Sequence, residues 1–317
     1  MKRFLVAFAL AAYAAHGASA ETLTASTGGR TNWDSVILEM GAAKGFFKQE
    51  GIDFELSPTD GGAATLQPAV AGRVDLALAV GFLSVISAYA KGAPIKVISA
   101  EATGAPELFW YTKPSSGIKG IKDAAGKTMA YSANGSTSNL MLLALLNQEK
   151  VAAKPIATGT TATTMTQVMT GQIDVGYSVA PFGLPDVEAG KIIILARSTD
   201  VVSMRNETIR VNVANAEALK TKRAAIEKFF RGYLHTLDWA YSDPHGFDAL
   251  AEALAMPREL IIKAMPVYYP KAMFQLADIR GLASVMEEAV ATKNIAAPLS
   301  KERIADFIDI VPKPRGK

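Results

Sequence analysis

The chain has 317 residues, half of them hydrophobic, with 33 Lys and Arg against 30 Asp and Glu and no cysteine. That length can bury the cores of two domains, while the missing cysteines exclude disulfides, thiol chemistry and a lipid anchor on cysteine. Setting aside Lys2 and Arg3 leaves 31 basic against 30 acidic residues with no basic stripe, so nothing supports a nucleic-acid partner.

Lys2 and Arg3 precede a short apolar run from Phe4 to Ala15, and Ala18-Ser19-Ala20 is a small-residue cleavage pattern. Residues 1–20 are therefore predicted to be a signal peptide cleaved after Ala20, giving a periplasmic protein without a lipid anchor. The apolar run is too short for a membrane span.

From residue 22 onward, short apolar stretches alternate with longer amphipathic ones. Strands are predicted at 22–26, 52–56, 74–80 and 95–100, with helices between them. A second series follows at 128–132, 155–158, 173–178 and 191–196, and residues 109–113 and 206–211 read as the crossings between the two. Val211 and Val213 suit a strand returning to the first series, and helical patterns at 216–241, 247–255, 258–265, 282–292 and 301–310 would cover it.

Two segments 99 residues apart repeat one design: 64–76 and 163–175 each read helix, glycine stop, strand. Gly72 and Gly171 stand where a helix ends in left-handed backbone, and Asp75 and Asp174 at the entry to an apolar strand. The period is too long for a solenoid and predicts two similar α/β lobes with a cleft. The expected fold is thus two lobes, 21–110 with 210–317 and 111–209, each a mainly parallel sheet flanked by helices, with the helical C-terminal part on the first lobe.

The segments 44–55, 72–76, 89–95 and 118–128 resemble, in order, the recurring elements of a known family. Gly45-Phe46-Phe47-Lys48 before Gly51-Ile52 is similar to its G-F-F-K-x-x-G-hydrophobic element, and Ile118 to Lys127 to its I-x-x-x-x-D-L-x-G-K segment, with Ala125 in place of the usual Leu. The family is that of the periplasmic solute-binding proteins of the nitrate/sulfonate/taurine type, with the related thiamine-pyrimidine-precursor binders. The resemblance covers residues 22–310. It implies a two-lobe fold closing on a small-molecule ligand and a monomer that serves the separate permease and ATPase subunits of an ABC importer.

Ligands of open α/β sheets bind beyond the carboxyl ends of the strands, and this rule selects the candidates. After the first strand come Thr27, Gly28, Gly29, Arg30, Asn32 and Trp33, where Arg30 suits an oxyanion or plain solvent and Trp33 suits packing better than a ligand. Asp60, Gly61 and Gly62 precede a helix, Asp60 also being a plausible cap. The third strand ends at Gly81-Phe82. The fourth ends at Glu101, whose carboxylate would favour a ligand carrying a donor but equally fits a lobe contact or a cap.

The richest loop is 131–138, where Ser132, Asn134, Gly135, Ser136 and Thr137 lead into a helix. A helix N-terminus with several hydroxyls accepts a carboxylate or sulfonate without any lysine, whereas a plain cap needs one hydroxyl. Thr160 opens a weaker version of the same arrangement, and Ser178 and Pro181 follow the strand of the second repeat.

Nothing predicts an enzyme, a cofactor or a metal. His235 and His245 lack metal-ligand spacing, no nucleophile elbow, P-loop or dinucleotide fingerprint occurs, and the histidine and cysteine-rich motifs of eukaryotic pyrimidine-precursor relatives are missing. The alternative to a transport component is a ligand sensor docking on a membrane receptor, which adjacent genes would distinguish.

Overall fold

The computed structural model describes residues 20–29 and 32–313; the predicted signal segment except Ala20, and Arg30, lie outside them. Strands β1 (Glu21–Thr27), β2 (Ile52–Pro58), β3 (Leu76–Gly81) and β4 (Ile95–Thr103) alternate with helices α1 (Trp33–Ala43), α2 (Phe46–Gln49), α3 (Ala63–Val70) and α4 (Phe82–Ala90). The second series runs β5 (Leu108–Thr112), β6 (Thr128–Tyr131), α5 (Thr137–Glu149), β7 (Lys154–Ala157), α6 (Thr161–Thr170), β8 (Gly176–Val179), α7 (Leu184–Glu188) and β9 (Ile193–Arg197). Strand β10 (Thr208–Asn215) then leads to α8 (Ala216–Thr221), α9 (Arg223–Ser242), α10 (Gly246–Ala253), α11 (Arg258–Tyr268), α12 (Leu282–Ala291) and α13 (Lys301–Phe307).

The first sheet has the order β2-β1-β3-β10-β4. β1 runs parallel to β2 and β3, and β10 runs antiparallel to β3 and β4. In the second lobe β5 lies between β8 and β9 and antiparallel to both, β6 pairs with β7 in parallel, and a Met129–Val175 bridge joins the two groups. The combined order β7-β6-β8-β5-β9 matches the first sheet strand for strand. In each sheet the one reversed strand is the one on which the chain arrives from the other lobe. It enters at the end where the parallel strands finish, so it must run against them.

Residues 109–113 are thus not a free crossing. Leu108–Thr112 is a central strand, buried throughout, and the chain leaves the first sheet at Thr103. Another difference is that the helix expected at 216–241 is two helices. Lys222 leaves helical geometry at φ −119°, and its Nζ donates to Asp75 Oδ2 at 2.9 Å.

Both faces of the first sheet are covered, which is why β3 reads as the unbroken apolar run LALAVG. Leu78 and Ile98 pack with Ile37, Phe229 and Tyr233, whereas Ala77 and Val97 pack with Phe82, Val85 and Ile86 of α4 in a core that continues into the second lobe. Helix α9 presents Ile226, Phe229, Phe230, Tyr233, Leu237 and Ala240 as one buried stripe toward α1 and α2. The predicted helix stops are left-handed, Gly72 at φ 68° and Gly171 at φ 78°.

Candidate ligand-binding cleft

The carboxyl ends of the strands converge on a cleft of about 710 Å³. Its first wall is built by Gly28, Gly29 and Asn32 after β1, by the 58–62 turn after β2, and by Ala79 to Gly81 at the end of β3. Ser132, Ser136, Thr137 and Ser138 at the start of α5 form the second wall, together with Thr160 to Ala162, Tyr177 and Phe182.

The loop before α5 spends some of its hydroxyls on itself. Ser136 Oγ caps the helix by accepting from Asn139 N at 3.2 Å, and Ser138 Oγ accepts from Ser132 N at 2.9 Å. The N–H groups of Thr137 and Ser138 have no acceptor inside the helix and carry its partial positive charge to the cleft wall. Thr160 likewise caps α6, accepting from Thr163 N at 3.1 Å.

The remaining sequence candidates, Asp60 apart, do not line this surface. Thr27 is buried, its Oγ1 bonded to Ser35 and its carbonyl to Thr59 N at 2.9 Å. Trp33 packs against Tyr269 and Tyr241 with ring centroids 5.7 and 5.8 Å away, and Phe82 is wholly buried in the core. Asn134 Oδ1 accepts from Tyr131 Oη at 2.7 Å, while Gly135 donates to Asn139 Oδ1 at 3.0 Å and accepts from Ser84 Oγ at 2.8 Å. Ser178 is buried and donates to the Phe182 carbonyl at 2.9 Å, and Pro181 is buried after a cis peptide bond. Asp60 lines the cleft but does not cap α3, whose N-cap is Gly62.

Glu101 lies beneath the first wall. It accepts from Asn212 Nδ2 at 2.5 Å and from Tyr233 Oη, and burial with the nearby Asp34 charge pushes its carboxyl up to about 7 against the pull of those bonds. Asn212 also accepts from the N–H of Ala79, a residue of the cleft wall in left-handed backbone at φ 55°.

Sequence reasoning missed the charged centre of the cleft. Arg210 Nη1 donates to Asp34 Oδ2 at 3.2 Å and Arg210 Nη2 to Glu107 Oε1 at 2.5 Å, and all three side chains reach the cleft wall while being nine-tenths buried or more. Burial raises the carboxyls of Asp34 and Glu107, with Arg210 pulling each back, and the two carboxylates hold the guanidinium protonated. The one available signal was a charge, Arg210, flanked by Ile209 and Val211.

The family model of NMT1/THI5-like proteins matches residues 32–246. The chain belongs to this family. No curated protein matches it in sequence. As an NMT1/THI5-like protein it is similar in fold to the periplasmic aliphatic sulphonate binding protein SsuA from Escherichia coli, at 19% identity and TM-score 0.72 over 94% of each chain. It is also similar to the periplasmic nitrate-binding protein NrtA from Synechocystis PCC 6803, at 14% identity and TM-score 0.69 over 90% of this chain and 85% of that one. A Candida albicans protein with the generic periplasmic binding protein fold aligns at 13% identity and TM-score 0.70, over 93% and 98% of the two chains. At these identities the likeness establishes the two-lobe fold of this NMT1/THI5-like chain, and its own cleft must supply the chemistry.

Proposed function

We propose that this chain is the substrate-binding component of an ABC importer, delivered to the periplasm by residues 1–20, and that it captures a small organic anion between its lobes. The observation that carries the reading is the α5 N-terminus at the cleft wall, where free N–H groups beside Ser132, Ser136 and Thr137 suit a sulfonate or carboxylate. The sulfonate and nitrate binders among the structural relatives support the importer assignment. In this reading the chain acts by binding and closure and not by catalysis, and it meets its permease and ATPase as a monomer.

Capture proceeds by a shift from open to closed lobes, 21–103 with 208–313 moving against 108–204. The two crossings, 104–107 and 205–207, adjoin each other: Gly104 N donates to the Glu207 carbonyl at 2.8 Å, which suits a hinge. A ligand bridging the walls stabilises the folded chain by about 2.7 kcal/mol at a hundred times its Kd. A thermal-shift screen of sulfonates, aromatic carboxylates and pyrimidines, followed by calorimetric titration of each hit, tests the assignment. A rise in melting temperature with one of these classes is expected; no rise with any of them would reject the reading.

A further inference from the structure

The two walls of the cleft differ in charge. The second carries the positive end of α5. The first carries Asp34, Glu107 and Asp60 against Arg210, the one basic side chain lining the cleft among the described residues. Within the buried cluster two carboxyl groups share a single guanidinium, and three buried atoms, Asp34 Oδ1, Glu107 Oε2 and Arg210 Nε, have no hydrogen-bond partner. Burial holds both carboxyls above their ordinary range even with Arg210 in contact, so the pocket is short of positive charge.

The obvious alternative is that Arg210 grips an anion directly. Its two Nη groups, however, already bond Asp34 and Glu107. An oxyanion brought here would face two carboxylates across one guanidinium. A protonated nitrogen in the same place would complete the charge balance.

Building on the assignment of this cleft as the ligand site, we propose that Asp34 and Glu107, oriented by Arg210, form the subsite for a cationic nitrogen of the ligand. The chain then takes a small zwitterion, its ammonium or guanidinium against the first wall and its acidic group at the start of α5.

Calorimetric titration of the mature chain with matched pairs tests this: β-alanine against propionate, γ-aminobutyrate against butyrate, taurine against ethanesulfonate, with ethylammonium alone beside them. At least one aminated member is expected to bind about ten-fold or more tighter than its plain anion. In Asp34→Asn and Glu107→Gln, that preference is expected to shrink by a similar factor, with melting temperatures recorded to confirm folding. Plain anions binding as well as their aminated partners in the unaltered chain would overturn the zwitterion subsite and leave the anion-binding cleft standing. Ethylammonium binding without any anion would support the cationic subsite and count against the anion reading. No binding by any member would count against both.

Discussion

The Asp75 carboxylate holds Thr24 as the Asp174 carboxylate holds Thr128. In each lobe one oxygen of the aspartate accepts from the N–H and the Oγ1 of the threonine, all at 2.9 Å, and the threonine Oγ1 accepts the aspartate N–H in return, at 3.0 and 2.8 Å. The repeat visible in the sequence is therefore a clasp between corresponding strands, β1 with β3 and β6 with β8, at the ends away from the cleft. The aspartate environments differ: Asp75 is the more buried, with a side chain 12% exposed against 39%, and it also meets Lys222 at 2.9 Å.

That difference predicts unequal costs. Asp75→Ala leaves the part-buried Thr24 donors without their acceptor and Lys222 with only the Thr22 carbonyl, and is expected to lose about 2–3 kcal/mol, Asp174→Ala about 1 kcal/mol. Neither should change ligand affinity more than about two-fold, because β3 and β8 meet the cleft at their other ends. Urea unfolding with a parallel binding titration checks both. Equal losses would contradict the burial argument, and weakened binding would contradict the placement.

What the sequence made legible follows from how local each signal is. The strands of the first lobe, the repeat and the hydroxyl-rich loop before α5 are written in contiguous residues, and all appear within a few positions of where pattern places them. Strand β5 reads as a crossing in the sequence because turn signals at Gly104-Ala105-Pro106 and Lys113-Pro114 leave only four apolar residues, 108–111, between them. Its identity as a strand depends on β8 and β9, 60 residues or more downstream. The Asp34–Glu107–Arg210 cluster is less legible still. Asp34 looks like an ordinary acid in a first helical turn, and only the pairing of β10 with β3, which sets Arg210 opposite Gly81, brings the three together. Glu101 shows the reverse case. It is expected at a strand end but lies inside β4, which continues to Thr103, and its carboxyl turns to Tyr233 and Asn212 beneath the wall.

Glu101 makes stability depend on pH. Its folded carboxyl titrates near 7, above the ordinary value of 4.5, so its contribution is complete below about 4.5 and is lost as pH rises through 7. Between those limits the native chain keeps a proton that the unfolded chain releases, and stability falls with rising pH by something on the order of 3 kcal/mol from this group. Glu101→Gln keeps a carbonyl acceptor and cannot ionise, so its unfolding free energy should decline less over the same range. Denaturant unfolding from pH 4 to 8 compares the two; an unchanged slope would assign the dependence elsewhere.

The wall before α5 can be tested apart from the fold. Ser136→Ala removes a cap and is expected to cost about 1 kcal/mol of stability. Thr137→Leu adds an apolar side chain at the wall without touching the cap bond, so it should keep the melting temperature of the parent while weakening an anionic ligand by about ten-fold or more. Thermal unfolding with calorimetric titration separates these effects. Retained affinity in Thr137→Leu would remove this helix terminus from the site.

Gly81 tests whether the lobes must come together to hold a ligand. A Cβ built there would stand 3.2 Å from the Gly135 carbonyl oxygen and from Thr137 N, both on the opposite lobe. Close by, Ser84 Oγ donates to that same carbonyl at 2.8 Å. The Gly81 backbone, at φ −56°, suits any residue, so a side chain there strains nothing within β3 and acts only as a spacer between lobes. Gly81→Ala asks the Gly135–Thr137 backbone to give by a few tenths of an ångström, and Gly81→Val by more. Affinity is therefore expected to fall in that order, by about ten-fold or more for valine, while the melting temperature of the ligand-free chain stays near that of the parent. Small-angle scattering with ligand should show the parent compact and the valine variant wider, because the spacer blocks the last approach of the walls. A valine variant that binds and compacts like the parent would mean that the contact at Gly81 is no part of the ligand-bound state, and closure would have to be sought at another edge of the cleft.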